Sequence, residues 1–529
     1  MDLQFLGGAT TVTGSRFLLT TSRAKVLIDC GMFQGSPNEA VRNRIPLGFG
    51  AHELDAILLT HAHLDHCGLL PIAVREGFPG PIHATPGTIE LATLVLLDSG
   101  RLNEEFAKRG ARRERRNPER AAAEDEAAVA NYRAAVELAE RGEAGGDEET
   151  AVATAEAPAV DPEAELRAQP PELITELDEP LYTEDDAKAV LPLFSPFDYD
   201  QELEVAPGIH ATFLDAGHIL GSAIIRLRVR DRADGPETVI VFSGDLGRPG
   251  TPIIRDPTIL DRADYVIIES TYGGREHEPH AEALRVLVET IRLVDESKGV
   301  LLVPSFAIGR TQEIVWELDR LIERGEIPLL PLYLDSPMAS KASDIYRRHP
   351  EYYDDETRRL LEAEATPLDY PDQRIVNKAK DSEAIHSSPR PFMIVASNGM
   401  LTGGRVVNHL RKLIDDPDAV LLFVGYQGEG TLGAHLQAGA ATVKLDGLVR
   451  NVRCQVRSIS GFSAHADESE LLDWLAHFRA AGSPGSPGYP RRVFLVHGDP
   501  EAQLVLEPKV RALGFEAHIP HWHERVTLD

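Results

Sequence analysis

Four side chains able to bind a metal fall within six residues of the stretch Thr60-His61-Ala62-His63-Leu64-Asp65-His66-Cys67-Gly68. It follows directly on the apolar run Ala56-Ile57-Leu58-Leu59. A strand ending in His-x-His-x-Asp-His puts two imidazoles on one side of the turn. The carboxylate and the last imidazole then face a second point nearby. Zinc takes nitrogen or oxygen ligands at about 2 Å, and a hydrolytic site leaves one position to water. Two such sites side by side describe a two-metal hydrolase. A scatter of surface histidines has no reason to crowd against a strand end in this way.

Further candidates sit at other strand ends. His218 lies in Leu214-Asp215-Ala216-Gly217-His218-Ile219-Leu220-Gly221, and Asp245 follows Val239-Ile240-Val241-Phe242-Ser243-Gly244. A lone histidine or aspartate is usually structural, but strand ends followed by glycine are where open sheets present ligands. Asp29 closes the apolar strand at Val26-Leu27-Ile28. It reads either as a turn aspartate or as a carboxylate that orients a ligating histidine. Glu269, His465 and His497 each follow a β-type run as well. His83, inside Pro81-Ile82-His83-Ala84-Thr85, reads as structural.

The elements that must carry these residues fall into three stretches. Residues 2–35 alternate as short antiparallel strands punctuated by Gly7, Gly8 and Gly14. Helical periodicity runs from Thr88 to Lys108 and high helix propensity from Ala121 to Arg141. The basic run Arg112-Arg113-Glu114-Arg115-Arg116 reads as a solvated helix face. Residues 142–171 read as disordered, and 117–178 as an insertion that carries no chemistry. From about residue 281, helices alternate with buried strands and Gly/Ser-rich loops, the pattern of a parallel α/β domain. Such loops can hold phosphates at helix N-termini, with Arg310, Ser397 and Arg405 as candidate phosphate or RNA contacts. The strand 452–459 reads as the return to the first domain. No Walker A pattern is present, which disfavours nucleotide hydrolysis.

Composition sets the outer bounds. At roughly 150 residues per domain, 529 residues make about three domains or two large ones. Three scattered cysteines, Cys30, Cys67 and Cys454, do not form a disulfide framework. The first residues lack a basic region and a cleavage pattern, and no apolar run approaches a membrane span. The expectation is a soluble cytoplasmic protein without membrane attachment. A net charge of −30 argues against a nucleic-acid partner. Yet residues 119–179 hold 18 acidic and 4 basic side chains, so −14 of the total lies there. The remainder is mildly acidic, and bound metal ions would add positive charge where it counts.

Taken together, His61 to His66, His218 and Asp245 resemble the metal motifs of the metallo-β-lactamase superfamily. Glu269, His465 and His497 resemble motifs A, B and C of its β-CASP branch, in which a second α/β domain is inserted into the metal-binding one. The match is close to the RNA-processing nucleases related to the endonuclease subunit of the cleavage and polyadenylation factor. It covers nearly the whole chain except 117–178, which has no counterpart in the family pattern. The implied fold is an α/β, αββα sandwich with an inserted β-CASP domain. It would be divided into residues 1–274, 275–450 and 451–529.

The implied activity is a zinc-dependent ribonuclease that cleaves single-stranded RNA in RNA processing or decay. It would leave 5′-phosphate and 3′-hydroxyl ends. The resemblance implies two Zn2+ per chain. His61, His63 and His218 would hold one, Asp65, His66 and His497 the other, and Asp245 would bridge them. Asp65 would also orient the attacking water, and His465, steered by Glu269, would act as general acid. A histidine at motif C favours RNA over a DNA nuclease of the same branch. A small-molecule metallohydrolase would leave the inserted domain and His465 without a use. A homodimer or an RNA-processing complex is the expected assembly.

Overall fold

The computed structural model describes the chain except residues 36, 117, 144–178, 233, 426, 429–430 and 446. The chain opens with β1 (Asp2–Gly7), β2 (Arg16–Thr20), β3 (Lys25–Ile28), β4 (Ala56–Leu58), β5 (Ile82–Ala84) and β6 (Phe194–Pro196). Next come β7 (Glu202–Ala206), β8 (Ile209–Asp215), β9 (Ala223–Val229), β10 (Thr238–Phe242) and β11 (Tyr265–Glu269). The inserted unit holds β12 (Val300–Pro304), β13 (Leu332–Leu334), β14 (Gln373–Ile375), β15 (Phe392–Ala396) and β16 (Ala419–Phe423). It continues with a hairpin of β17 (Thr442–Leu445) and β18 (Leu448–Asn451), then β19 (Gln455–Ser458). The chain closes with β20 (Arg492–Val496), β21 (Ala517–His518) and β22 (Arg525–Thr527).

Two seven-stranded sheets, ordered β22-β1-β2-β3-β4-β5-β6 and β21-β20-β11-β10-β9-β8-β7, pack face to face. The period-two alternation of the strands builds the layers. Val26, Ile28, Ile240, Phe242, Phe494 and Val496 point between the sheets. Their neighbours Leu27, Val241, Val493 and Leu495 point outward to covering helices. Both faces of these strands are therefore buried, as parallel strands require. Each buried Leu, Ile or Phe contributes roughly 1.5–3 kcal/mol. A one-residue slip of a strand would turn its inward set outward, so the register is strongly held.

That register carries the site. The parallel pair β11 and β20 sets Glu269 opposite Val496, one residue before His497. The parallel pair β3 and β4 sets Ile28 opposite Leu58, so Asp29 emerges beside the Thr60–His66 loop.

The inserted domain is a six-stranded sheet, β14-β13-β15-β12-β16-β19, whose pairings are all parallel. Helices His280–Ser297 and Arg310–Glu323 cover one face, and Arg405–Leu413 covers the other. The domain is anchored where Ile345, Tyr346, Tyr352 and Tyr353 join Ile219 and Leu220 in one core. The Tyr346 hydroxyl accepts a hydrogen bond from the Leu220 N–H at 3.2 Å.

One expectation is corrected. The strand near 452–459 does not open the return to the first domain. As β19 it pairs with β16 from Val420–Gln455 to Phe423–Ser458, so the return begins after Ser458 rather than at residue 451. The helix expected over Ala121–Arg141 is present. Residues Pro118–Glu143 form a helix that places Tyr132, Ala135, Val136 and Ala139 against Val41 and Ile45. The disorder expected over 142–171 lies, from residue 144 on, outside the described residues. Among the described residues no helix is long and apolar enough to cross a membrane.

Candidate metal centre

The strand-end residues converge into three groups of donor atoms, each group lying within 4.8 Å; Asp245, Glu269 and His465 form one, and the other two are built mainly of histidines. His61, His63, His218 and Asp245 form the first; Asp65, His66 and His497 form the second. In the first, His63 Nδ1 is 3.1 Å from His61 Nε2 and 3.2 Å from His218 Nε2. Asp245 Oδ2 is 3.3 Å from His61 Nε2 and 3.6 Å from His218 Nε2. In the second, Asp245 Oδ1 is 3.2 Å from His66 Nε2, and Asp65 Oδ2 is 3.6 Å from His497 Nε2. Asp245 thus offers one oxygen to each group.

Hydrogen bonds on the far side of four of the rings settle which nitrogen faces inward. A carbonyl or carboxylate can only accept, so the ring nitrogen beside it must carry the proton. His66 Nδ1 donates to Asp29 Oδ2 at 2.7 Å, and His218 Nδ1 donates to the Ala464 carbonyl at 3.1 Å. The Thr60 hydroxyl donates to Asp29 and so accepts from His61 Nδ1 at 3.1 Å. The Thr271 hydroxyl donates to the His497 carbonyl and accepts from His497 Nδ1 at 3.1 Å. Four Nε2 lone pairs are left pointing at the two groups. Orienting contacts of this kind are typical of ligating histidines.

Burial favours the neutral form of three of these histidines. Burial pushes His61 down to about 3 and His63 down to about 4, and holds His218 well below the ordinary histidine value. His66 differs: burial opposes its charge, yet Asp245 and Asp29 outweigh it and raise its pKa, so a metal would have to displace a proton from its Nε2. The carboxyl of Asp65 lies below the usual range despite burial, because His497 and His66 stabilise its charge.

The residues fit a metal pair. Asp245 Oδ1 and His497 Nε2 are buried without a hydrogen-bond partner, which is costly for polar atoms unless something else binds them. Neighbouring ligand atoms around tetrahedral zinc at about 2.0 Å lie roughly 3.3 Å apart, close to the spacings in the first group.

Glu269 and His465 stand beside both groups. Glu269 is fully buried, takes the Leu246 N–H at 2.6 Å, and has both oxygens 3.1 Å from His465 Nδ1. The His465 ring lies 4.5 Å from that of His218 and 6.0 Å from that of His497. Burial would lower the His465 pKa, but Glu269 overcomes this and raises it to about 9.

The local backbone is shaped for these contacts. A Cβ at Gly31 would lie 1.6 Å from the Asp65 carbonyl oxygen, and one at Gly247 would lie 1.7 Å from that of Gly217. Only glycine permits such approaches. Asp29 and His497 adopt φ of 58° and 48°. Such left-handed backbone costs a non-glycine residue roughly 1–2 kcal/mol, and strain of this kind clusters at functional sites.

The other candidates go elsewhere. Arg310 is buried and ion-paired with Glu313. Arg405 donates to Asp335 Oδ1 at 2.6 Å and to the carbonyls of Val376 and Asn377. Both guanidinium groups, expected at phosphate, are engaged inside the inserted domain. Ser397 Oγ lies 3.0 Å from Ser336 Oγ. His83 packs its ring against Phe197, away from the donor groups. Sequence reading missed Thr60, Thr271 and the Ala464 carbonyl. Thr60, directly before His61 and across from Asp29, offered the one local clue.

Models of known families match most of the chain. The metallo-beta-lactamase superfamily model matches residues 10–305, and the Beta-Casp domain model residues 311–436. A Zn-dependent metallo-hydrolase RNA specificity domain matches residues 449–520. The chain is 33% identical over 522 residues to Ribonuclease TTHA0252 of Thermus thermophilus, covering 99% of both chains. It is 30% identical to Transcription termination factor FttA of Methanosarcina mazei, over 96% of this chain and 68% of that one. FttA of Pyrococcus horikoshii is also 30% identical, over 99% of this chain and 70% of that one.

Proposed function

The chain belongs to the β-CASP branch of the metallo-β-lactamase superfamily, and on that premise we propose that it is a two-zinc ribonuclease. The observation that carries the reading is His465, held by Glu269 at 3.1 Å beside two convergent donor groups, with Asp245 belonging to one and reaching His66 of the other at 3.2 Å. A hydrolase of small substrates would leave the inserted domain without a use. The full-length likeness to a ribonuclease supports RNA as the substrate.

His61, His63 and His218 would hold one zinc, Asp65, His66 and His497 the other, and Asp245 would bridge them. Bound there, the pair would supply an activated water and neutralise charge on the phosphodiester. Asp65 would accept a hydrogen bond from the attacking water and aim it at phosphorus. As the new P–O bond forms, the P–O3′ bond breaks, and His465 gives its proton to the departing 3′ oxygen. The ends left are a 5′-phosphate and a 3′-hydroxyl. Glu269 keeps His465 protonated at neutral pH, as a general acid requires. The inserted domain would close over the centre and cradle the RNA backbone. Three buried free thiols suit a reducing, cytoplasmic setting.

The test incubates purified protein with labelled single-stranded RNA, the matching DNA and a thioester, with and without a chelator. RNA cleavage that the chelator abolishes is the expected result. Cleavage of the thioester alone refutes the nuclease reading, and DNA cut as fast as RNA refutes the selectivity.

A further inference from the structure

The chain crosses between its two domains twice. It leaves by the segment between β11 and the helix starting at His280, and it returns by the segment between β19 and the helix starting at Glu468. The two crossings are fastened together side by side. Glu278 accepts the Ser460 N–H at 2.8 Å, the Gly461 N–H at 3.1 Å and the Ser460 hydroxyl at 2.9 Å. Further along, Glu468 Oε2 accepts the Gly274 N–H at 2.7 Å, and the Glu468 N–H donates to the Arg275 carbonyl at 3.1 Å. Between these clamps lies His277. Its backbone N–H donates to Asp467 Oδ2, and its Nε2 lies 3.2 Å from the carbonyl of His465, the residue read above as the general acid.

Chemistry assigns the His277 tautomer. A carbonyl accepts only, so Nε2 carries the proton. Nδ1 is buried without a partner, which suits a bare lone pair and not a second N–H. The ring is almost fully buried and lies 4.3 Å from that of Tyr272 in an edge-on contact. Burial lowers its pKa to about 4, in keeping with a neutral donor. No part of the proposed reaction uses His277.

We propose that His277 is a positioning residue. Its Nε2–H, with the Glu278 clamp, fixes the loop Ser460–Asp467 so that His465 meets Glu269 and the scissile phosphate at the correct distance. Both crossings contribute to this clamp, so the placement of His465 depends on how the inserted domain sits. The inference rests on His465 acting as general acid.

His277→Phe keeps the aromatic packing and removes the donor; His277→Gln restores an N–H at similar reach. Initial rates on labelled single-stranded RNA are measured for the wild type, both variants, Glu278→Gln and His465→Ala, with metal content and Tm alongside. A misplaced catalytic group commonly costs one to two orders of magnitude. His277→Phe is therefore expected to lower kcat by about tenfold or more, with KM and metal content unchanged, and His277→Gln to recover most of it. Glu278→Gln is expected to lower kcat in the same sense. Wild-type kcat in His277→Phe overturns the proposal, as does a loss confined to KM or to metal binding. If His277→Phe does not fold, an unchanged kcat in Glu278→Gln overturns it equally. An active His465→Ala removes the general acid itself, and the proposal falls with it. An inactive His465→Ala beside a fully active His277→Phe refutes the positioning role alone.

Discussion

Asp29→Asn replaces one buried oxygen by an NH2 group and changes nothing else in size. Asp29 is 1% exposed, so no water can compensate for the change. Its Oδ1 accepts the Thr60 N–H at 2.8 Å, and its Oδ2 accepts His66 Nδ1–H at 2.7 Å. The Thr60 hydroxyl lies 3.0 and 2.8 Å from the two oxygens. An asparagine that keeps its oxygen toward Thr60 turns an N–H against the His66 N–H. The flipped amide turns it against the Thr60 N–H. Either orientation sets two donors face to face in a buried site, where an unmet donor costs roughly 1–3 kcal/mol. His66 must then rotate or move its proton to Nε2, the atom proposed to bind metal.

Loss of an orienting partner of this kind weakens metal binding by about 10–100-fold. At about 1.4 kcal/mol per decade that amounts to roughly 1.4–2.8 kcal/mol, which agrees with the donor-clash estimate. The assay is competition for zinc against a chromophoric chelator at pH 7.5, with bound equivalents counted by elemental analysis. One equivalent should weaken more than the other, and excess zinc should restore RNA cleavage. Two equivalents bound with wild-type affinity in Asp29→Asn would refute both the second donor group and the role of Asp29.

Three further outcomes follow from the geometry. Glu269→Gln removes the charge that raises His465, so the protonated form, present below about 9 in the parent, should be lost at lower pH. The alkaline limb of the RNA-cleavage profile moves toward 6.5 while bound metal stays constant; an unmoved limb refutes the pairing. Removing metal should lower Tm, because a ligand present at 1,000 times its Kd stabilises the fold by about 4 kcal/mol, and scanning calorimetry with and without chelator reads this directly. Arg405→Ala should lower stability by roughly 1–3 kcal/mol, because it removes the partner of the buried Asp335 Oδ1 and leaves only His409 and Ser382, both on Oδ2. A raised KM for RNA with unchanged denaturant stability would return Arg405 to the phosphate role.

The likeness of the candidate site to a metal centre was legible because its residues sit at strand ends, and strand ends can be read locally. His61 to His66, Asp245 and Glu269 each follow an apolar run that forms a buried strand. Where the expectation failed, the missing information was a partner far away in sequence. The strand at 455–458 was recognisable by its pattern, but the sheet it joins is decided by hydrogen bonds to β16, which leave no local mark. Arg405 directly follows a glycine-rich loop, as a phosphate ligand would. Asp335, 70 residues earlier, claims its guanidinium.

By itself the sequence determined the donor types, their order and their places at strand ends, because those depend on side-chain chemistry and on alternation along a strand. The tertiary structure alone decided which atoms meet. Parallel pairing of β11 with β20 brings His497 to Glu269 across more than two hundred residues, and only that register lets Thr271 turn the His497 ring. The same holds for the return crossing, which supplies His465 to Glu269 and the Ala464 carbonyl to His218. Such contacts depend on the packing of whole sheets, and their free energy is spread over many buried side chains that no short stretch of sequence contains.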